Sequence, residues 1–243
     1  MENVNFLSLI IPAYNEAARL PGCIEKLNRY LQSRPEPIEV LIVENGSSDN
    51  TYAIALAAQQ RYPWLKVFHE DKAGKGNAIR RGMFESHGKY RMFADVDFAM
   101  PVEEINKFIP PKLDNFDVAI ASREAEGSLQ KNKSFIRGLS SRIFNLFVRL
   151  FVIQKIRDTQ CGFKCFTAEA AEKIFSKQTI EGWAFDVEIL YIAQRHHFRI
   201  VEVPVTVSYD ENSKVKLWNA VPRMLLDILK IKTNSKNGKY DCF

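Results

Sequence analysis

Between Phe6 and Glu126 the sequence repeats one unit: a short apolar run, a loop, and a stretch with apolar residues three and four apart. The runs are FLSLII (6–11), IEVLIV (38–43), LKVF (65–68), KYRMFA (89–94) and FDVAIA (116–121); among the intervening stretches are ARLPGCIEKLNRYLQS, NTYAIALAAQQRY and GNAIRRGMFES. Near-continuous apolar runs of this length suit strands buried on both faces, and the wider spacing suits amphipathic helices. Their alternation predicts an α/β, doubly wound, mostly parallel sheet flanked by helices. Ligands of such sheets gather outside the carboxyl ends of the strands. The loops there are PAYNE (12–16), ENGSSDNT (44–51), EDKAGKGN (70–77), DVDFAM (95–100) and SREAEGS (122–128).

Past Glu126 the pattern changes. A polar linker (SLQKNK) leads to a helical run, SFIRGLSSRIFNLFVRLFVI, then to DTQCGFKCF, a helix at 167–175, the helical GWAFDVEILYIAQRHH, a strand RIVEVPVTVSY and a final amphipathic stretch KLWNAVPRMLLDILKIK. No internal repeat is visible, and 243 residues suffice for one large core. The opening MENVN lacks a basic leader, and the longest other apolar stretch, Phe144 to Ile153, is interrupted by Arg149. It falls short of the ~18 residues a membrane span needs, so membrane contact is expected to be peripheral. Val215 to Lys232 joins Leu217, Trp218, Val221, Met224, Leu225, Ile228 and Leu229 to several Lys and Arg. Such a helix can lie on an anionic bilayer or pack on the domain before it.

A net charge of +5 suits an anionic partner such as phosphate groups, a nucleotide or a lipid surface. No nucleic acid is expected. Cys23, Cys161, Cys165 and Cys242 are scattered and read as reduced thiols in a reducing compartment.

Asp95 and Asp97 stand two residues apart just past a predicted strand. They fit either a site for a hard divalent cation, which takes carboxylate and phosphate oxygens, or a cap for the helix that follows. Glu44 and Asn45 open a loop that turn chemistry alone also explains. Lys72 and Lys75 lie in a basic loop opening a helix, a phosphate neighbour or a solvated turn. Arg137 and Ser141, four apart, share a predicted helix face that can meet a phosphate or water. Trp183, Asp186 and Glu188 sit in GWAFDVEIL, where the acids can serve as acid/base groups or cap a helix.

Together SLIIPAYNEAARLP, ENGSSDNT, GKGNAIRRGM, ADVD, ASR, RGLSSRIFN, DTQCGFKCF, GWAFDVEIL, VEVPV and NSK resemble, over nearly the whole chain, the family 2 inverting glycosyltransferases. The resemblance is closest to the polyprenyl (dolichyl) phosphate β-glucosyltransferase and mannosyltransferase branch. It implies a GT-A fold with a Rossmann-like central sheet, a catalytic domain over 1–213 and a C-terminal amphipathic segment over 214–243. It implies a nucleotide pocket around Pro12, Tyr14, Asn15, Glu16, Val43, Glu44, Asn45 and the backbone of Val96. Asp95 and Asp97 would hold Mg2+ or Mn2+ on the donor diphosphate, with Lys72 and Lys75 nearby. Arg123, Arg137, Ser141 and Lys214 would contact phosphates of donor and acceptor, and Asp158, Trp183 and Asp186 would shape the sugar end. Where the family's nucleotide loop usually begins with two aspartates, this chain has Glu44-Asn45. The implied reaction moves glucose from UDP-glucose to a polyprenyl phosphate at the cytosolic face of a membrane. A GDP-mannose-dependent enzyme, a family 2 enzyme acting on a sugar hydroxyl, and a nucleotide-binding scaffold remain alternative readings.

Overall fold

The computed structural model describes residues 5–132, 153, 156–209 and 217–241, with side chains of the last stretch from 223 onward. Seven strands form the main sheet in the order β3-β2-β1-β4-β7-β5-β8. They are β1 (Leu7–Ala13), β2 (Ile38–Glu44), β3 (Leu65–His69), β4 (Tyr90–Phe93), β5 (Val118–Ser122), β7 (Lys164–Thr167) and β8 (Ile200–Pro204). Every neighbouring pair is parallel except those of β7, which runs antiparallel to both β4 and β5. The carboxyl ends of β1, β2, β3, β4, β5 and β8 therefore share one edge, and β7 begins there.

Alternation along each strand assigns side chains to two cores. Leu7, Leu9, Ile11 and Ala13 of β1 face a layer with α1 (Leu20–Gln32), α2 (Thr51–Arg61) and a 3-10 helix (Val102–Phe108), whereas Ile10 faces the opposite layer. That second layer holds α3 (Lys75–Glu85), α4 (Ala168–Ser176), α5 (Phe185–Arg195) and α6 (Leu217–Lys236). A sheet buried on both faces explains the near-continuous apolar runs. Local chemistry fixes several helix starts. Pro21 stands at the start of α1, where a missing N–H costs nothing, and the Thr167 hydroxyl accepts from Ala170 N–H at the start of α4.

Three expectations change. SLQKNK is not a plain linker: Leu129–Lys131 form β6, paired in parallel with β9 (Thr206–Ser208). This pair is held by backbone hydrogen bonds, so the polar sequence carries no apolar alternation to reveal it. RIVEVPVTVSY is two strands, because the chain leaves β5 after Pro204 and joins β6 instead. The run after Met100 forms a 3-10 helix with Pro101 at its N-cap, so neither Asp95 nor Asp97 caps it. The helical run expected at 134–153 lies, apart from Ile153, outside the described residues.

α6 contributes Met224, Ile228 and Ile231 to the second core, while Leu226 and Leu229 on its other side are exposed. Among the described residues no helix is long and apolar enough to cross a membrane. Cys23, Cys161 and Cys165 are free and buried, and burial pushes the thiols of Cys23 and Cys161 up to about 12.

Candidate active site

The alternation of β4 continues beyond its last hydrogen bond. Ala94, Val96, Phe98 and Met100 all turn into the first core, which leaves Asp95 and Asp97 on the other side. Phe98, at φ 44°, is anchored edge-on against Phe163. Asp97 Oδ1 accepts from Ala99 N–H at 3.1 Å. The crowded loop around Asp97 and the neighbouring Asp95 charge push its carboxyl upward, although the residue still reaches solvent.

Asp95 Oδ1 lies 2.5 Å from Lys75 Nζ, which also sits 5.2 Å from the centre of the Trp183 ring. Burial opposes the charge on Lys75, yet Asp95 and Asp186 outweigh it and raise its pKa. The other oxygen of Asp95 rests against Gly162, where a Cβ would stand 2.2 Å from Oδ2. Only glycine lets the carboxylate lie there. Beneath this pair, fully buried Lys164 donates to Asp186 Oδ1 at 2.5 Å and to Cys161 O at 2.8 Å. Asp95, Asp97 and Asp186 thus meet Lys75 and Lys164 in one cluster. Asp95 and Asp97 are mutually repelling carboxylates on one turn, oxygen donors of the hard type that Mg2+ and Mn2+ take, and among the described residues no group of three or more His, Cys, Asp or Glu is gathered to hold a metal ion.

The β1 and β2 loops are laced together. Tyr14 projects into solvent at 57% exposure, and Asn15, at φ 53°, accepts from Ser48 N–H. Glu16 holds Arg19 through both carboxylate oxygens, and its N–H donates to the Thr51 hydroxyl. Pro12 is half-buried, and the Val43 side chain is buried in the second core.

Glu44 and Asn45 are committed within the protein. Burial pushes the Glu44 carboxyl up, but the Ser47 N–H and His69, with Nδ1 2.6 Å away, hold it below its ordinary range. The Asn45 amide bonds Lys72 O and Gly74 N–H at 2.6 and 2.8 Å, tying the β2 loop to the basic loop. Lys72 itself is exposed. Arg123 and Asp158, predicted for phosphate and sugar, bind each other: Nε and Nη2 donate to the carboxylate at 2.6 and 2.8 Å, and Arg123 N–H adds a third bond.

Arg137, Ser141 and Lys214 lie outside the described residues. Asp95, Asp97, Lys75, Trp183 and Asp186 are brought together; Tyr14, Asn15 and Glu16 line the neighbouring loop. Sequence reasoning assigned no role to Lys164, Gly162, His69, Gly74 or Gly76. The signal in the sequence that could have pointed to Lys164 is a lysine interrupting the otherwise apolar GFKCF.

Residues 8–175 match the family described as Glycosyl transferase family 2. The chain belongs to that family. This family 2 member is 35% identical to a dolichyl-phosphate beta-glucosyltransferase of Dictyostelium discoideum, over 93% of this chain and 74% of that protein. It is 36% identical to the enzyme of the same name from Homo sapiens, over 96% and 77%. The fold matches, at a TM-score of 0.68 and 17% identity over 93% and 78% of the two chains, a crystal structure of glucosyl-3-phosphoglycerate synthase from Mycobacterium tuberculosis in complex with Mn2+, UDP and glucosyl-3-phosphoglycerate. The mostly parallel sheet flanked by helices is thus the GT-A architecture of family 2.

Proposed function

We propose that this chain transfers glucose from UDP-glucose to a polyprenyl (dolichyl) phosphate, giving a β-linked glycosyl phosphoryl lipid. The observation that carries the reading is the Asp95-Val96-Asp97 turn beside Lys75 and Trp183, in a chain over a third identical to dolichyl-phosphate beta-glucosyltransferases. Asp95 and Asp97 would hold Mg2+ or Mn2+, which when bound offsets charge gathering on the leaving diphosphate. Lys75 adds a fixed ammonium at the same place, and the ring of Trp183 offers an apolar face to the sugar. Tyr14, Pro12, Asn15 and Glu16 border the nucleotide together with the Val43 and Val96 backbone. Glu44 and Asn45 act there by holding the loops in place.

The acceptor needs no general base. A phosphate monoester with a second pKa near 6 is largely ionised at neutral pH, so its oxygen attacks the anomeric carbon directly. Attack opposite the leaving diphosphate turns an α-linked donor into a β-linked product. Arg137, Ser141, Lys214 and Arg123 are assigned to position the donor and acceptor phosphates, on the strength of the resemblance. Purified protein with a panel of UDP-glucose, GDP-mannose, polyprenyl phosphate and free sugars tests the reading. Transfer from UDP-glucose to the lipid phosphate is expected; transfer only to a sugar hydroxyl would reject it.

Gly162→Ala is expected to lower transfer about 100-fold, because it pushes the Asp95 carboxylate off its seat and misplacements near 1 Å cost that much. Steady-state rates beside a melting curve check this.

The protein would work peripherally on the cytosolic face of a membrane, with α6 against the lipid. Leu226 and Leu229 are 66% and 62% exposed, and exposed Arg223 and Lys230 flank them. Leu226→Gln with Leu229→Gln should lower partition onto anionic vesicles about tenfold or more through lost apolar burial, with thermal stability unchanged because Met224, Ile228 and Ile231 stay packed. Vesicle co-sedimentation measures it.

A further inference from the structure

Glu188 has no part in the chemistry above, yet its carboxylate is fully buried and heavily bonded. Thr179 N–H donates to both oxygens, at 3.0 and 2.9 Å, Ile180 N–H to Oε2 at 2.7 Å, and the hydroxyls of Thr179 and Tyr240 to Oε1 at 2.6 and 2.7 Å. The Asn234 amide serves both hydroxyls in turn, donating to Thr179 Oγ1 at 2.8 Å and to the Tyr240 oxygen at 3.4 Å. All of these donors to the carboxylate are neutral backbone or hydroxyl groups.

What this shell fixes is the segment under Lys75. Gly76 N–H donates to Glu181 O at 2.8 Å, and Gln178 Nε2 donates to both Gly76 O and Ile180 O at 2.9 Å. The two backbones touch so closely that a Cβ on Gly74 or Gly76 would fall 2.3 Å from Glu181 O or 2.6 Å from Ile180 O. Between these glycines stands Lys75, bonded to Asp95 and beneath Trp183. α6 also flanks the segment, with Asp227 Oδ2 3.7 Å from where a Cβ of Gly182 would lie.

We propose that Glu188 is a positioning residue that sets Lys75 and Trp183 for the donor diphosphate, and that Tyr240 and Asn234 of the C-terminal segment complete it. The donor role of Lys75 rests on the function proposed above. The contacts form one line from the C-terminal segment through Glu188 and residues 179–181 to the Gly74–Gly76 turn and Asp95.

Glu188→Gln risks unfolding, so Tyr240→Phe is the informative variant; it removes one hydroxyl and keeps the ring packed on Tyr191. Hydrogen–deuterium exchange of the full chain should show amides 74–76 and 179–181 opening about tenfold faster, as expected for losing a bond to a charged group, with β1 and β4 unchanged. Calorimetry should show UDP with Mn2+ binding about tenfold more weakly. Faster exchange confined to residues 234–241, or a uniform rise along the chain, would overturn the coupling. Failure of the unaltered protein to bind UDP with Mn2+ would reject the assigned function instead, and the exchange pattern would still decide the positioning.

Discussion

Asp97→Asn should reduce glucosyl transfer by about three orders of magnitude, the several kcal/mol that charge stabilisation at a leaving group supplies. The substitution is structurally mild. Asp97 is exposed, and its hydrogen bond from Ala99 N–H is one that an asparagine oxygen also accepts. What changes is one negative charge at the turn. The melting temperature should therefore stay in place, or rise slightly, since relief of the Asp95–Asp97 repulsion favours the fold. Affinity for Mn2+ in the presence of UDP, followed by calorimetry, should fall together with the rate. A variant with unchanged rate would remove Asp97 from the donor site, and a scaffold would lose nothing.

Asp158→Asn should instead act on stability. The carboxylate is fully buried and receives two guanidinium bonds and one backbone bond from Arg123. Removing one partner of such a pair costs about 3–5 kcal/mol, because the other charge is left buried. In a chain of this length that lowers the melting temperature by about 6–20 °C. Asp158→Leu combined with Arg123→Met should recover much of the loss, since no orphaned charge remains.

The pair also sets a pH dependence. Burial pushes the Asp158 carboxyl up, but the Arg123 charge and bonds outweigh this and hold it below its ordinary value. A depressed folded pKa stabilises the fold above the unfolded carboxylate value of about 3.9, and the contribution disappears as pH falls through the folded value. The unaltered protein and Asp158→Asn should thus differ most near neutrality and converge in acid, which denaturant titrations across pH would measure.

Much of the fold was legible because burial on both faces writes itself as apolar runs. FLSLII and IEVLIV read as strands because every residue in them after Phe6 is buried, with Leu7, Leu9, Ile11, Ile38, Val40 and Ile42 in one core and Ile10 and Val43 in the other. β6 was not legible, because a three-residue strand held by backbone bonds needs no apolar pattern, and β9 was read only as the end of the single strand RIVEVPVTVSY. β7 hid for another reason. Its Lys164 breaks the apolar run, and only the tertiary position of Asp186, on α5, makes a buried lysine tolerable.

The site divides in the same way. Asp95 and Asp97 were legible from spacing, because alternation past a strand end sends residues i and i+2 to one side. The pairing of Arg123 with Asp158 was not, since 35 residues separate them in sequence. Nor was the need for glycine at 162, which follows from a carboxylate of another strand end resting on its backbone.

The most direct measurement is product analysis after incubating the purified full chain with UDP-glucose, Mn2+ and a short-chain polyprenyl phosphate, with the anomeric configuration read by proton NMR. A β-glucosyl phosphoryl lipid, absent when Asp97→Asn replaces the unaltered protein, is the expected result. An α-linked product, or no glucose on the lipid phosphate while UDP-glucose is consumed on another acceptor, would contradict direct displacement at the Asp95–Asp97 turn.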